Sequence, residues 1–412
     1  MKKNAIISLM LLCFLLTVVL AGCGKKKTED HSEEASTSIQ NADPENLDDI
    51  TMDALVDEAM KQMTLEQKIG QLFIVCTDSL DFNAETEMTD QMKSNLEQYQ
   101  PGGVILFSFN LDNREQTAEF IQNMKATTKI PMFISVDEEG GNVARIANTD
   151  GMGTTKFPSM ASIGETGDSS QAYNVGDTIG REISELGFNL DFAPVADLST
   201  NDNNTEIGER SFGSDPDMVS QMVSQAVKGL QKNGVSATLK HFPGQGDAGE
   251  DTHKGYVNLD VTIDRLRDNE FLPFEEGIAA GADLIMMSHV SVKGITQSDV
   301  PASLSSLMVN DILREELQYD RIIITDAMNM KIITKFYDSG QAAIAAIKAG
   351  NDMILMPDDF DSAYEAVQEA VADGTLSEKR INASVRRILQ VKIRRGILPL
   401  NSSILEKITQ PE

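Results

Sequence analysis

The chain has 412 residues, of which 41% are hydrophobic, and it carries 35 Lys and Arg against 64 Asp and Glu for a formal net charge of −29. That length holds one large barrel or two smaller domains, and the hydrophobic share suffices for a full core. So acidic a surface argues against nucleic acid, whose phosphates need Lys and Arg, and fits a soluble body with an uncharged or cationic partner.

Lys2 and Lys3 precede an apolar run from Ile6 to Leu20 that is too short to span a bilayer comfortably. The run ends in Leu20-Ala21-Gly22-Cys23, which resembles the lipobox of bacterial lipoproteins. The resemblance implies a signal peptide over 1–22, cleavage before Cys23 and lipidation of its thiol, so that the mature protein is exported and held to a membrane by a lipid anchor. Residues 23–50 are rich in Lys, Glu, Ser, Thr, Asn and Asp, and such a composition cannot repay the entropy of ordering, so a flexible tether is expected. Cys13 falls within the signal and Cys76 stands alone in an apolar stretch, so no disulfide or redox chemistry is expected.

Met52 to Met63 has a helical pattern, and Thr64-Leu65-Glu66-Gln67 has the form of a capping box opening a second helix. Apolar runs then recur at Gln71–Cys76, Gly103–Phe107, Met132–Val136, Asn189–Ala193, Ala237–His241, Leu284–His289, Arg321–Thr325 and Met353–Met356. Each reads as a buried parallel strand. Between them lie amphipathic stretches at Arg114–Thr127, Gln171–Leu186, Asp217–Lys232, Ile263–Ala280, Ser303–Leu317 and Gln341–Gly350, and Ser377–Arg395 closes the series. This alternation predicts an α/β fold, a (β/α)8 TIM barrel forming a single catalytic domain over 51–412. Such barrels run to ~250 residues plain and past 400 with insertions. A doubly wound sheet is the second architecture compatible with the pattern.

Chemistry in a barrel gathers where strands end. Five of the apolar runs end in ionisable residues: Asp137-Glu138-Glu139, Lys240-His241, Ser288-His289, Thr325-Asp326 and Asp358-Asp359. One such residue is usually a helix cap, whereas five on one face point to a site. Two of the chain's four histidines fall between Lys240 and His253, in a glycine-rich stretch. Asp251 stands two residues before His253, a spacing that lets a carboxylate orient the imidazole for proton transfer. Asp326 could cap a helix or face a substrate. As an ionised carboxylate it would suit a nucleophile, with His253, of unperturbed pKa ~6.5, as the separate proton donor. That division of labour is the logic of retaining glycoside hydrolysis, with a histidine in place of the usual second carboxylic acid.

Assembled in order, these motifs resemble glycoside hydrolase family 3, and within it the β-N-acetylglucosaminidase branch. The marks are Val136-Asp137-Glu138-Glu139-Gly140-Gly141 with Arg145, Gly208-Glu209-Arg210-Ser211-Phe212-Gly213, Lys240-His241-Phe242-Pro243-Gly244, Asp251-Thr252-His253 and Ile324-Thr325-Asp326-Ala327-Met328. The resemblance implies that Asp326 is the nucleophile and His253, held by Asp251, the acid/base. It further implies that Asp137, Arg145, Arg210, Lys240 and His241 bind the terminal sugar, an N-acetylhexosamine. No cofactor and no metal site are expected, and neither is an oligomer. Two positions depart from the family pattern: Gln245 stands where histidine is common, and Thr252 where serine is usual. A phosphorylase, with phosphate replacing water as acceptor at the same site, is the alternative activity.

Overall fold

Every one of the eight apolar runs forms a strand. In a computed structural model that describes residues 49–249 and 257–399, the strands in chain order are β1 (Phe73–Cys76), β2 (Gly103–Ile105), β3 (Phe133–Val136), β4 (Glu138–Gly140), β5 (Val143–Ala144), β6 (Leu190–Asp191), β7 (Ser236–Phe242), β8 (Leu284–Met287), β9 (Ile322–Ala327) and β10 (Met353–Leu355). β4 and β5 make a separate antiparallel hairpin. The other eight close into a parallel barrel in the order β1-β2-β3-β6-β7-β8-β9-β10, with β10 pairing back onto β1. The strands are Val-, Ile-, Leu- and Met-rich because both their faces are buried, one in the barrel interior and one under the helices. Along β8 and β9, for example, Ile285 pairs with Ile323 and Met286 with Ile324.

The helices expected at Arg114–Thr127 and at the capping box form as read. Thr64 accepts a hydrogen bond from the Gln67 amide while the Gln67 side chain accepts one from the Thr64 amide. Two stretches differ. Ile263–Ala280, read as one helix, breaks into Ile263–Arg265, a π-helical segment Leu266–Glu270 and a helix over Leu272–Ala279. Pro273, which lacks an N–H, sits in the first turn of that last helix, where the missing donor costs least. Ser303–Leu317 likewise resolves into a short 3-10 turn and a π-helix over Leu307–Glu316. Helices Asp90–Tyr99 and Phe360–Ala372 lie outside the stretches singled out from the sequence. The first buries only Met92 and Leu96, too few for a clear apolar stripe.

The N-terminal end of the barrel is closed by the helix Glu378–Arg394. Its Lys392 is fully buried, with Nζ donating to Gln71 Oε1 at 2.7 Å and lying 5.1 Å from the centre of the Phe133 ring. Asp352, just before β10, meets Arg314 at 2.6 Å, Arg387 at 3.1 Å and Arg380 at 3.7 Å. Asp283, just before β8, meets Arg321 at 2.7 Å and also Arg395. The expected signal peptide and the expected tether up to residue 48, and with them Cys23, lie outside the described residues.

Candidate active site

The opposite, C-terminal end of the barrel opens into a cavity of about 330 Å³ lined by Asp137, Glu139, Arg145, Arg210, Lys240, His241 and Asp326, together with apolar side chains. This volume is at the small end for ligand pockets (~300–1,000 Å³) and suits one sugar residue. All six of the site residues expected at Asp137, Arg145, Arg210, Lys240, His241 and Asp326 converge here. Asp251 and His253 lie outside the described residues.

The charged wall is built from β3, the hairpin and β7. β3 ends on Asp137, and the hairpin that follows returns Arg145 to the same rim, its amide donating to the Asp137 carbonyl at 3.2 Å. Gly140, at φ +97°, makes the turn possible, since a Cβ there would take a left-handed backbone and sit 2.7 Å from Met160 Cε. The ladder between β7 and β8 shifts register between Lys240 and Phe242, so the consecutive Lys240 and His241 both reach the cavity. Lys240 Nζ pairs with Asp137 Oδ1 at 2.7 Å and Glu139 Oε1 at 2.6 Å. Arg210 clamps Glu139 through two bonds, Nε to Oε2 at 2.8 Å and Nη2 to Oε1 at 2.7 Å.

Burial alone would raise the Glu139 carboxyl, but Lys240 and Arg210 outweigh it and bring it down to about 2. The same fields act in return. Burial disfavours the Lys240 ammonium, yet Asp137 and Glu139 hold its pKa above the usual lysine value. Glu138, pointing the other way, accepts from the Ile146 and Ala147 amides at 2.7 and 2.9 Å, and burial pushes it up to about 7. It pins the hairpin from beneath.

Arg145 is held more loosely. Its guanidinium is 4.0 Å from Asp137 and lies 5.8 Å from the Phe107 ring centre, and its buried Nε has no partner among the described residues. A planar fork of five donors with so few acceptors is ready for a ligand. His241 is fixed at its other edge: Nδ1 donates to Asp197 Oδ2 at 2.8 Å, and Asp197 also accepts from the His241 and Gln245 amides at 3.0 and 2.7 Å. Asp197 is fully buried and sets the ring so that Nε2 is the edge left for the cavity.

Asp326 sits at the end of β9, half-buried, and among the described residues accepts one hydrogen bond, from the Ala327 amide at 2.7 Å. Burial would raise its carboxyl, but His241, His289, the Ala327 amide and Lys240 together hold it below the ordinary aspartate value. It therefore stays ionised in a half-closed cavity and can act as a nucleophile or stabilise a developing cation. His289 is wholly buried beside it, Nε2 donating to the Ala327 carbonyl at 3.1 Å while Nδ1 accepts from Ser303 Oγ at 2.7 Å. That arrangement ties down the backbone next to Asp326.

Three residues of the site were not singled out as site residues in the sequence. Glu139 is the shared partner of Lys240 and Arg210, Asp197 orients His241, and Glu206 lines the cavity while its carbonyl accepts from Arg210 at 2.9 Å. Glu139 lies within the Asp137-Glu138-Glu139 run, whereas Asp197 lies beyond the end of its apolar run and so lacks the mark of a charge directly after a strand. One of the five strand-end pairs does not belong to the site. Asp359 caps the helix Phe360–Ala372, accepting from the Ser362 amide at 3.0 Å and hydroxyl at 2.7 Å, and Asp358 is exposed.

Gln245, where the family commonly has histidine, is buried outside the cavity lining. It accepts from Ser288 Oγ at 2.6 Å and donates to Glu206 Oε1 at 3.2 Å, so its amide ties the loop after β7 to that after β8. The neighbouring Gly246 packs so closely that a Cβ would lie 1.5 Å from the Leu198 carbonyl.

Known proteins share this architecture. Residues 64–391 match the model of the glycosyl hydrolase family 3 N terminal domain. Beta-hexosaminidase A of Pseudoalteromonas piscicida is 32% identical over 386 residues, covering 84% of this chain and 63% of that protein. A solved glycoside hydrolase family 3 beta-N-acetylglucosaminidase from Paenibacillus sp. str. FPU-7 superposes with a TM-score of 0.77 at 37% identity, over 81% of this chain and 63% of that one. A structure of the beta-glucoside phosphorylase BglX gives a TM-score of 0.76 at 26% identity, over 90% of this chain and 65% of that one. The chain thus spans a little under two thirds of the length of these three relatives. With the eight-stranded barrel and a match over most of its length, the chain belongs to glycosyl hydrolase family 3.

Proposed function

We propose that the protein is an exo-acting, retaining β-N-acetylglucosaminidase that removes terminal β-linked N-acetylhexosamine, with peptidoglycan fragments as its source of substrate. The observation that carries this reading is Asp326: a carboxylate held ionised at a strand end, facing a cavity of one-sugar size whose other wall is a network of charged hydrogen-bonding groups. In this reading Asp326 attacks the anomeric carbon and forms a glycosyl–enzyme ester while His253, oriented by Asp251, protonates the departing oxygen. His253 then takes a proton from water as that water attacks the ester, which returns the free carboxylate and the sugar with its configuration retained. Asp137, Arg145, Arg210, Lys240 and His241 hold the sugar's hydroxyls and acetamido group. A half-closed cavity of one-sugar size favours a chain end over a mid-chain residue, hence the exo action. The lipobox-like run ending at Cys23 supports an exported, membrane-anchored protein acting on sugars outside the cytoplasm. Turnover of aryl β-N-acetylglucosaminide at least tenfold faster than of the matching aryl β-glucoside is the expected result. Preference for the glucoside would overturn the substrate assignment.

A second reading has its own support, in the likeness to a beta-glucoside phosphorylase. If phosphate is the acceptor, it would meet the spare donors of Arg145. Inorganic phosphate would then accelerate turnover and yield a sugar 1-phosphate, whereas the hydrolase reading expects free N-acetylglucosamine at all phosphate concentrations.

A further inference from the structure

Among the described residues, the large hydrophobic side chains most open to solvent are Phe82, Phe109 and Phe336, at 84%, 51% and 57% exposure. Single exposed apolar residues need no explanation, but these three share a location. They lie on the segments that follow β1, β2 and β9 at the barrel end that carries the cavity. In the barrel these strands fall within one arc, β9-β10-β1-β2, away from the β6-β7 side that carries Asp197, Lys240 and His241.

Phe109 is the one joined to the cavity. It stacks on Phe107 with ring centres 5.9 Å apart and planes 10° from parallel, and Phe107 lines the cavity beside Arg145. The turn that carries Phe109 is anchored from below by Asn110, which is fully buried. The Asn110 side chain accepts from the Phe107 amide at 2.9 Å and donates to Thr77 Oγ1 at 2.9 Å and the Glu85 carbonyl at 2.6 Å. A hydrophobic ring is thus held out into solvent by a rigid turn, in line with a second ring that reaches the cavity.

We propose that Phe107 and Phe109 form the subsite for the leaving group, taking the apolar C–H face of a second pyranose ring on Phe109. The inference rests on the hydrolase reading above, in which the terminal sugar fills the cavity and its glycosidic oxygen points to the mouth. A ring attached to that oxygen must cross the rim, and among the described residues the Phe107–Phe109 stack is the part of the rim that offers a flat apolar surface. Charged side chains on the rim could bind such a ring only through its hydroxyls, whereas stacking tolerates differences in hydroxyl pattern.

The test compares kcat/KM for a β-linked N-acetylglucosamine disaccharide with that for N-acetylglucosaminyl fluoride, whose leaving group has no ring, in the wild type, Phe109→Ala and Phe109→Trp. Phe109 is exposed, so neither variant disturbs the core. The ratio of disaccharide to fluoride is expected to fall about 3- to 10-fold in Phe109→Ala, mainly through KM, and to recover in Phe109→Trp. An unchanged ratio in Phe109→Ala, whether both substrates lose equally or neither does, would overturn the subsite while leaving the hydrolase reading in place. A wild type that turns over neither substrate would overturn both.

Discussion

The two ends of the barrel handle buried charge in opposite ways. At the N-terminal end Asp352 is met by three guanidinium groups and Asp283 by two, and Lys392 is tucked under the barrel against Gln71 and Phe133. At the C-terminal end, among the described residues, Asp326 accepts a single backbone hydrogen bond and Arg145 has a buried nitrogen with no partner. The N-terminal end pairs its buried carboxylates with guanidinium groups; the C-terminal end keeps a carboxylate and a guanidinium available for a ligand. In a barrel this is the expected division between stability and chemistry, and it makes the two ends separable by mutation.

Asp326→Asn gives the largest effect. It should lower kcat by about 10⁴-fold or more with Tm unchanged or slightly raised, since it removes a charge that the fold keeps for the substrate. Activity and thermal melting on the same preparation check both halves. Asp352→Asn should do the reverse: it strands three cations in the core at a cost of about 3–5 kcal/mol, read by urea unfolding, while kcat of the folded fraction stays within twofold. If Asp352→Asn abolished turnover in folded protein, or Asp326→Asn unfolded the chain, the division between the ends would be wrong.

Lys392→Met is the subtlest. Burial lowers the Lys392 ammonium from an ordinary lysine value to about 7, and no carboxylate pairs with it among the described residues. The native form is therefore neutral above pH 7, while the unfolded chain still binds the proton until pH ~10.4. The unfolded state holds more protons across that window, so this group makes stability rise by a few kcal/mol as pH climbs through it, with the full penalty present below pH 7. Lys392→Met should remove that slope, raising Tm more at pH 6 than at pH 10. Equal shifts at both values would mean that the lysine is charged in the native protein.

The contrast also explains what could be read from the residues alone. The barrel was legible because parallel strands buried on both faces leave unbroken apolar runs, and all eight stand where those runs stand. The ends of the longer strands betrayed Asp137, Lys240, His241 and Asp326 because a charge directly after an apolar run is conspicuous. Asp359 has the same signature and is only a helix cap, so that signal by itself does not separate a site from a cap. Asp197 was invisible because it lies beyond the strand Leu190–Asp191 and not directly after its apolar run, and its partner His241 is 44 positions away. The π-helical segments were missed because periodicity cannot distinguish a wide turn from an ordinary one.

The central claim is that Asp326 bonds covalently to the sugar, and trapping tests it most directly. A fluorinated N-acetylglucosaminyl fluoride, whose ester is slow to hydrolyse, should add the mass of one glycosyl group to the intact protein, with the label on the peptide that carries Asp326. Label on another carboxylate, or turnover with inversion and no adduct, would contradict the account.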